Sequence, residues 1–222
     1  MAAKLKPLLP EIVFLGGCTT GLLITDPGAS PVRATDDVDV IVEVASYAEY
    51  SRFSKRLRSL GFSEDSSEGA PICRWLIDHM KLDVMPTDER ILGFSNRWYK
   101  PAIETANLIP LDGFELRVVT APYFIATKLG AFRGRGKGDF YASSDLEDIT
   151  TVLDGRPTVV EEVADSSAAL RRYIGREIGM LVDNPEFLNA LPGHLAGDPI
   201  SQARIPMILG ILRSLHGGFK AR

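Results

Sequence analysis

Two aspartates separated by one residue, Asp37 and Asp39, stand at the start of a β-branched segment and have the side chains and spacing of a metal site. In a strand, alternate side chains share a face, so both carboxylates would lie on one side while the neighbouring valines pack into a core on the other. Two carboxylates so close repel each other unless a cation or a proton lies between them. Magnesium suits such a site because it takes oxygen ligands and keeps water and substrate phosphates in the rest of its shell. The alternative is a half-buried strand whose acidic face meets water, and this segment alone leaves both interpretations open.

A third aspartate, Asp83, lies in an apolar segment, Lys81-Leu82-Asp83-Val84-Met85, that is typical of a strand. Aspartate is disfavoured in strands, and burying its charge costs free energy unless the carboxylate is paired or bound to a metal. We therefore predict that Asp83 joins Asp37 and Asp39 as a metal ligand. The alternative is a structural ion pair with an arginine such as Arg74.

The pair Gly16-Gly17 ends a short apolar run and precedes a segment that can form a helix. A strand, a glycine turn and a following helix present backbone N–H groups to an anion. The Thr19 hydroxyl can add a contact to a phosphate. A Gly-Gly pair alone is a weak signal, because such a pair is more often a plain turn.

Together these segments resemble the signature of the nucleotidyltransferase-fold superfamily. That signature is a hydrophobic residue before a Gly-Gly or Gly-Ser turn, then an Asp-x-Asp strand, then a third aspartate on a later strand. It reads here as Leu15-Gly16-Gly17, Asp37-Val38-Asp39 and Asp83, with a loop insertion between the turn and the paired aspartates. The resemblance implies a mixed α/β fold, with a small mixed sheet flanked by helices and a helical C-terminal part. It also implies Mg²⁺ or Mn²⁺ as cofactor and a nucleoside triphosphate as substrate.

Within the superfamily the chain looks most like the AbiEii/AbiGii toxin family, which includes the MenT-type toxins. That family carries a lysine on a helix, then an arginine, then an Asp-hydrophobic-x-Asp-Ile element, and the resemblance covers roughly residues 12–153. The matching residues here are Lys128, Arg133 or Arg135, Asp145 and Asp148. The resemblance implies a catalytic role for Lys128, Asp145 and Asp148 besides the three metal-binding aspartates. The nucleotide-binding residues that it implies are Gly16, Gly17, Cys18, Thr19, Lys128, Arg133 and Arg135.

Each of these later residues also has a more ordinary interpretation. Lys128 is typical of a solvated helix lysine. Asp145 suits the first turn of a helix, where an acidic residue complements the helix dipole. The glycine-spaced cluster Arg133, Arg135 and Lys137 is equally typical of a mobile loop. Asp145 and Asp148 are three residues apart, so both would lie on one face of a helix.

Hydrophobic periodicity predicts the elements that must position these groups. The expected strands span residues 12–15, 38–44, 71–77, 81–85 and 115–120, and the expected helices span residues 18–24, 46–60, 122–132 and 144–153. A loop is expected over residues 133–139, and the pattern beyond residue 156 is mainly helical. We therefore predict a nucleotidyltransferase core over residues 1–120. A mainly helical part over residues 121–222 would complete the active-site cleft.

Composition limits the function classes further. The 222 residues carry a net charge of −4, which argues against a protein that coats nucleic acid non-specifically. No apolar run suits a membrane span, and two cysteines are too few for a disulfide framework. We expect a cytoplasmic transferase that moves a nucleoside monophosphate to an acceptor hydroxyl. The resemblance implies an RNA acceptor, the 3′ end of a transfer RNA, and a toxin neutralised by an antitoxin protein. A small-molecule or protein acceptor, or a non-catalytic nucleotide-binding module, stays open, as does the oligomeric state.

Overall fold

The computed structural model describes residues 1–135 and 138–218, apart from the side chain of Arg135. The chain forms two compact units. The first contains Met1–Thr19 and Ala34–Thr120, and the second contains Thr20–Arg33 and Ala121–Arg222. Within the described ranges, no helix is both long and apolar enough to cross a membrane.

Strands belong to the first unit and most helices to the second. The strands are β1 (Ile12–Leu15), β2 (Asp37–Val42), β3 (Ser63–Glu64), β4 (Arg74–Ile77), β5 (Met80–Pro86), β6 (Asn107–Leu111) and β7 (Phe114–Val118). The α-helices are α1 (Thr20–Leu23), α2 (Tyr47–Ser59), α3 (Glu89–Leu92), α4 (Tyr99–Glu104), α5 (Ala121–Arg135), α6 (Ser144–Gly155), α7 (Val159–Asp165), α8 (Ala168–Val182), α9 (Pro185–Ala190), α10 (Pro199–Gln202) and α11 (Ile205–Gly217). Short 3₁₀ helices span Lys6–Leu8, Gly17–Thr19 and Leu191–His194.

The described strands form one seven-stranded mixed sheet in the order β3-β4-β5-β2-β1-β7-β6. Its centre consists of β2 parallel to β5 and antiparallel to β1. Val40 and Val84 are fully buried and lie opposite each other in the β2–β5 ladder. These β-branched side chains suit a buried pleated surface, which is why the Asp37–Val42 segment is a central strand. The predicted α/β fold, a mixed sheet flanked by helices, is confirmed.

The first unit contains two strands and two α-helices that the sequence did not indicate, which are β3, β6, α3 and α4. Strand β6 was not expected, and it pairs with β7 around a two-residue turn at Asp112 and Gly113. Both turn residues have positive φ, 49° and 80°, as the tight turns that suit hairpins require. Strand β6 is mostly exposed and contains Pro110, which is tolerated at an edge.

Helix α5 corrects the expected loop at residues 133–139. The helix continues to Arg135, so the expectation was wrong for residues 133–135. Arg133 forms an ion pair with the buried carboxylate of Glu177 on α8, which anchors the last helical turn. Lys137 lies outside the described residues.

Helix α6 carries two of the predicted site residues and begins with a side-chain cap. The Ser143 Oγ accepts a hydrogen bond from the Leu146 N–H at 3.3 Å, so the cap is Ser143. The helix ends at Gly155, whose carbonyl accepts hydrogen bonds from the N–H groups of Thr25 and Asp26. Asp154 accepts a further bond from the N–H of Ser30 at 2.8 Å. These bonds explain why the loop after α1 belongs to the helical unit.

Candidate functional site

Three predicted metal ligands lie on one face of two adjacent parallel strands. Asp39 of β2 is directly opposite Asp83 of β5, and Asp37 is opposite Lys81, two residues earlier on each strand. Residues paired in this way point to the same side of the sheet, and so do residues two apart on one strand. Asp83 is buried, while Asp37 and Asp39 are half-buried. The strands therefore bring the three carboxylates together on a common face.

A guanidinium lies among these carboxylates. Arg74 of β4 is opposite Asp83 in the antiparallel β4–β5 ladder. Its Nε donates to Asp83 Oδ1 at 2.8 Å and its Nη2 donates to Asp83 Oδ2 at 2.7 Å. The same Nη2 donates to Asp37 Oδ2 at 3.2 Å. The hydrogen bond with Asp83 raises the pKa of the Arg74 guanidinium. The ion pair named as an alternative role for Asp83 is thus present.

The turn at Gly16 contacts the same row of carboxylates, which consists of Asp37, Asp39 and Asp83. Leu15 is opposite Asp39 in the β1–β2 ladder, and Gly16 follows with φ of +73°. A Cβ on Gly16 would lie 1.9 Å from Asp39 Oδ2. Only glycine combines this backbone conformation with so close an approach. Gly16 and Asp39 therefore belong to one site.

The residues after Gly16 use their side chains to close the turn. Thr19 Oγ1 donates to the Gly16 carbonyl at 2.8 Å, and the Cys18 thiol donates to the Leu15 carbonyl at 3.2 Å. Gly17 and Thr19 are buried within the 3₁₀ helix. These bonds hold the turn against the carboxylate row. Phosphate binding by Gly16, Gly17, Cys18 and Thr19 stays a prediction.

In the second unit, a lysine and two carboxylates form a buried cluster. The Lys128 Nζ on α5 lies 2.6 Å from Asp148 Oδ2 and 3.2 Å from Asp145 Oδ1. The Lys128 side chain is only 9% exposed, so Lys128 is not a solvated helix lysine. Asp145 and Asp148 reach it together because three residues make about one helical turn.

The cluster contains one residue that the sequence did not indicate. Arg33 Nη2 lies 3.4 Å from Asp148, and Arg33 Nε lies 3.3 Å from Glu147 Oε2. Arg33 is in an irregular loop, 115 residues before Asp148. No periodic pattern surrounds it, so no local signal connects it to α6. The other predicted cation, Arg133, is engaged by Glu177, and the side chain of Arg135 lies outside the described residues.

Comparison with known proteins adds a fold-level likeness. No protein-family model matches the chain. No curated protein matches it either. Among solved structures, an antigenic nucleotidyltransferase-like protein from Paracoccidioides brasiliensis aligns with a TM-score of 0.50 and 20% identity, covering 86% of this chain and 88% of that chain. The fold is that of nucleotidyltransferase-like proteins. JHP933 from Helicobacter pylori aligns with a TM-score of 0.49 and 13% identity over 98% of this chain and 89% of that chain.

Within this nucleotidyltransferase fold, the chemistry of Asp37, Asp39 and Asp83, the aspartate row, fits a divalent cation. Its donors are all carboxylate oxygens, the ligands that magnesium prefers, and they already bind one cation, the guanidinium of Arg74. Across residues 1–135 and 138–218, no three His, Cys, Asp or Glu side chains are gathered as a ready metal-ligand set. Asp37 and Asp83 would therefore have to leave Arg74, and the three carboxylates would have to reorient, before they could hold a metal ion together.

Two surface cavities of the first unit are lined by other residues. Their volumes are about 420 and 540 Å³, and both include Glu43 and Val44 in their walls. Glu43 follows β2, whereas Asp37 and Asp39 are at its beginning. The cavities are therefore at the opposite end of this strand from the aspartates.

Proposed function

We propose that the protein is a metal-dependent nucleotidyltransferase that moves a nucleoside monophosphate from a nucleoside triphosphate to an acceptor hydroxyl. One observation supports this proposal above the others. Asp37, Asp39 and Asp83 share one face of two adjacent parallel strands, and Gly16 packs directly against Asp39. The nucleotidyltransferase-like fold supports the same reaction class.

In this reaction the acceptor oxygen forms a bond to the α-phosphorus while the α–β anhydride bond breaks. Pyrophosphate leaves, and the proton of the hydroxyl passes to water. Asp37, Asp39 and Asp83 would hold the metal, which supplies charge neutralisation and a lower pKa for the acceptor hydroxyl. The turn at Gly16 would position the phosphates. Positioning and charge neutralisation carry such a reaction, so the protein needs no side-chain nucleophile.

For the acceptor we propose RNA, specifically the 3′ end of a transfer RNA. The chain would then act as a toxin that a cognate antitoxin neutralises. Support comes from the resemblance to the AbiEii/AbiGii family through Lys128, Asp145 and Asp148, which lie in contact in the second unit. In this proposal Lys128 acts as a point charge on triphosphate oxygens.

The net charge of −4 favours a second candidate, a small-molecule or protein acceptor. An acidic chain attracts a polyanionic acceptor less strongly over long distances. Transfer to RNA should weaken steeply as salt rises, because phosphate contacts release counterions, whereas transfer to a small uncharged acceptor should not.

The test is nucleotide incorporation with Mg²⁺, each labelled nucleoside triphosphate in turn, and total cellular RNA. Wild type should label RNA from one of the four nucleoside triphosphates. Asp39→Asn should lose at least about a hundredfold in rate, because it removes a charged oxygen ligand of the proposed metal, and loss of one group that stabilises transition-state charge costs about that much. Asp36→Asn is the matched control, since Asp36 is exposed and precedes β2. A variant Asp39→Asn that keeps the wild-type rate would refute the metal site.

The same assay separates the alternatives. Pyrophosphate release on addition of cell extract, without label in RNA, would move the acceptor to a protein or a small molecule. Nucleotide binding without pyrophosphate release in either mixture would indicate a non-catalytic nucleotide-binding module.

A further inference from the structure

Arg74 occupies an unusual position for a residue with only a structural role. Its guanidinium binds both oxygens of Asp83 and one oxygen of Asp37, which are two of the three proposed metal ligands. The site that would hold a divalent cation thus carries a resident cation from the chain itself. The two cations would compete for the same carboxylate oxygens, and their positive charges would repel each other.

The backbone of Arg74 is fixed, so an exchange would involve the side chain alone. The Arg74 N–H donates to the Pro71 carbonyl, and the Arg74 carbonyl accepts from the Asp65 N–H. The neighbours Cys73 and Trp75 are buried. A guanidinium offers five N–H donors in a planar fork that fits phosphate as well as it fits carboxylate. Arg74 can therefore exchange Asp83 for a phosphate without any change in the sheet.

We propose that Arg74 couples metal binding to nucleotide binding. The guanidinium holds Asp37 and Asp83 until a triphosphate offers its own oxygens, and it then moves to the phosphate and releases both carboxylates to the metal. This inference rests on the proposed function, because it assumes a metal-bound nucleoside triphosphate at the aspartate row. Arg74 is thus a nucleotide-binding residue whose two sets of partners exclude each other.

In this proposal, the metal ion and the nucleotide bind cooperatively. A divalent ion alone must displace the guanidinium and then face its positive charge, so it binds weakly to wild type. With nucleotide present, the displaced guanidinium gains a phosphate partner, and the metal binds more tightly. By linkage the metal must raise nucleotide affinity by the same factor. A static Arg74–Asp83 pair would leave the coupling that direct contact between metal and phosphate produces, and no more.

The experiment measures Mn²⁺ affinity from the spin-resonance signal of the free ion, with and without α,β-methylene analogues of the nucleoside triphosphates. In Arg74→Gln, Mn²⁺ alone should bind about tenfold more tightly than in wild type, the size expected when one charge-assisted hydrogen bond no longer competes. The analogue should bind about tenfold more weakly for the same reason. The coupling factor should fall below its wild-type value, to the part that direct contact between metal and phosphate produces. Arg58→Gln is the control, since Arg58 pairs with Glu64 at the surface and should leave all three quantities at wild-type values.

A static ion pair makes the opposite prediction. Equal or weaker Mn²⁺ binding in Arg74→Gln, or unchanged coupling, would overturn the proposal. If Arg74→Gln does not fold, Arg74→Lys takes its place, because lysine keeps the charge and loses the two-pronged contact with Asp83. Its Mn²⁺ affinity should exceed that of wild type, and an equal affinity would overturn the proposal.

We call the proposed exchange of Arg74 between the carboxylates and a phosphate the gate. Failure of the gate and failure of the proposed function give different results. Wild type that transfers nucleotide while Arg74→Gln binds Mn²⁺ as wild type does would leave the function standing and remove the gate. The opposite pattern, coupled binding without transfer in any acceptor mixture, would keep the gate and remove the transferase function.

Discussion

Replacing Gly16 with alanine tests whether the glycine turn and the carboxylate row form one site. The new Cβ would lie 1.9 Å from Asp39 Oδ2, whereas ordinary contact begins at 3.4 Å, so the carboxylate or the turn must move by the difference, about 1.5 Å. A displacement of about 1 Å at a reacting centre costs roughly a hundredfold in rate. The positive φ of Gly16 adds about 1–2 kcal/mol of strain for alanine. We therefore expect Gly16→Ala to lose at least about a hundredfold in transfer rate, with a loss in the free energy of unfolding of about 1–2 kcal/mol.

Initial rates of pyrophosphate release and urea unfolding measure the two effects separately. Gly113→Ala is the matched control, because Gly113 has φ of +80° but its added Cβ would meet no atom within 4 Å. This control should lose similar stability and keep the wild-type rate. If Gly16→Ala kept its rate within threefold of Gly113→Ala, the close approach to Asp39 would have no catalytic importance and the reasoning would be wrong.

Two further predictions concern the second unit. Lys128→Met should lower the free energy of unfolding by about 3–5 kcal/mol in denaturant titrations, because it removes the cation that lies 2.6 Å from Asp148 and 3.2 Å from Asp145. Arg33 remains, but it lies farther from Asp148, at 3.4 Å. Lys100→Met, which removes an exposed partner of Glu43, should cost less than about 1 kcal/mol, and equal losses would contradict the buried pairing. Burial lowers the pKa of His194 below its ordinary value of 6.5, so the unfolded chain binds this proton more readily and stability should fall as pH drops below about 6.5. This one group changes the free energy of unfolding by at most about 1.4 kcal/mol per pH unit. His194→Gln should remove this pH dependence, and the control His79→Gln, on an exposed turn, should keep it. An unchanged pH dependence in His194→Gln would show that another group causes it.

The central strands and the aspartate face follow from local sequence pattern. Alternation with a period of two placed Asp37 and Asp39 on one face, and a charge inside an apolar strand marked Asp83. These signals work because β2 and β5 are buried, so the pleat decides which side chains meet the core. Hydrophobic residues at helical spacing also predicted α2, and Phe53 and Leu57 of that stripe are buried.

Other features depend on contacts that no local pattern records. The sequence offered Arg74 as an alternative partner of Asp83, but no local pattern connects Arg74 with Asp37, which is 37 residues earlier. Arg33 meets Asp148 because the loop after α1 is tied to the end of α6 by backbone bonds. Strand β6 is exposed at a sheet edge, where little burial selects its side chains. Only the three-dimensional structure supplies these pairings.

The two charge clusters differ in how readily they can give up their cation. Lys128 lies between two carboxylates that are each under 5% exposed, so its departure would remove a close compensating charge from two buried groups, while Arg33 stays 3.4 Å from Asp148. Arg74 has a 16% exposed side chain, and its partner Asp37 is 39% exposed, so water can solvate that carboxylate as the guanidinium leaves. Moving the cation away from its carboxylates therefore costs less free energy for Arg74, in the sheet, than for Lys128, in the helical unit. This difference supports the proposal that Arg74 exchanges partners when a nucleotide binds, whereas Lys128 stays with its two carboxylates.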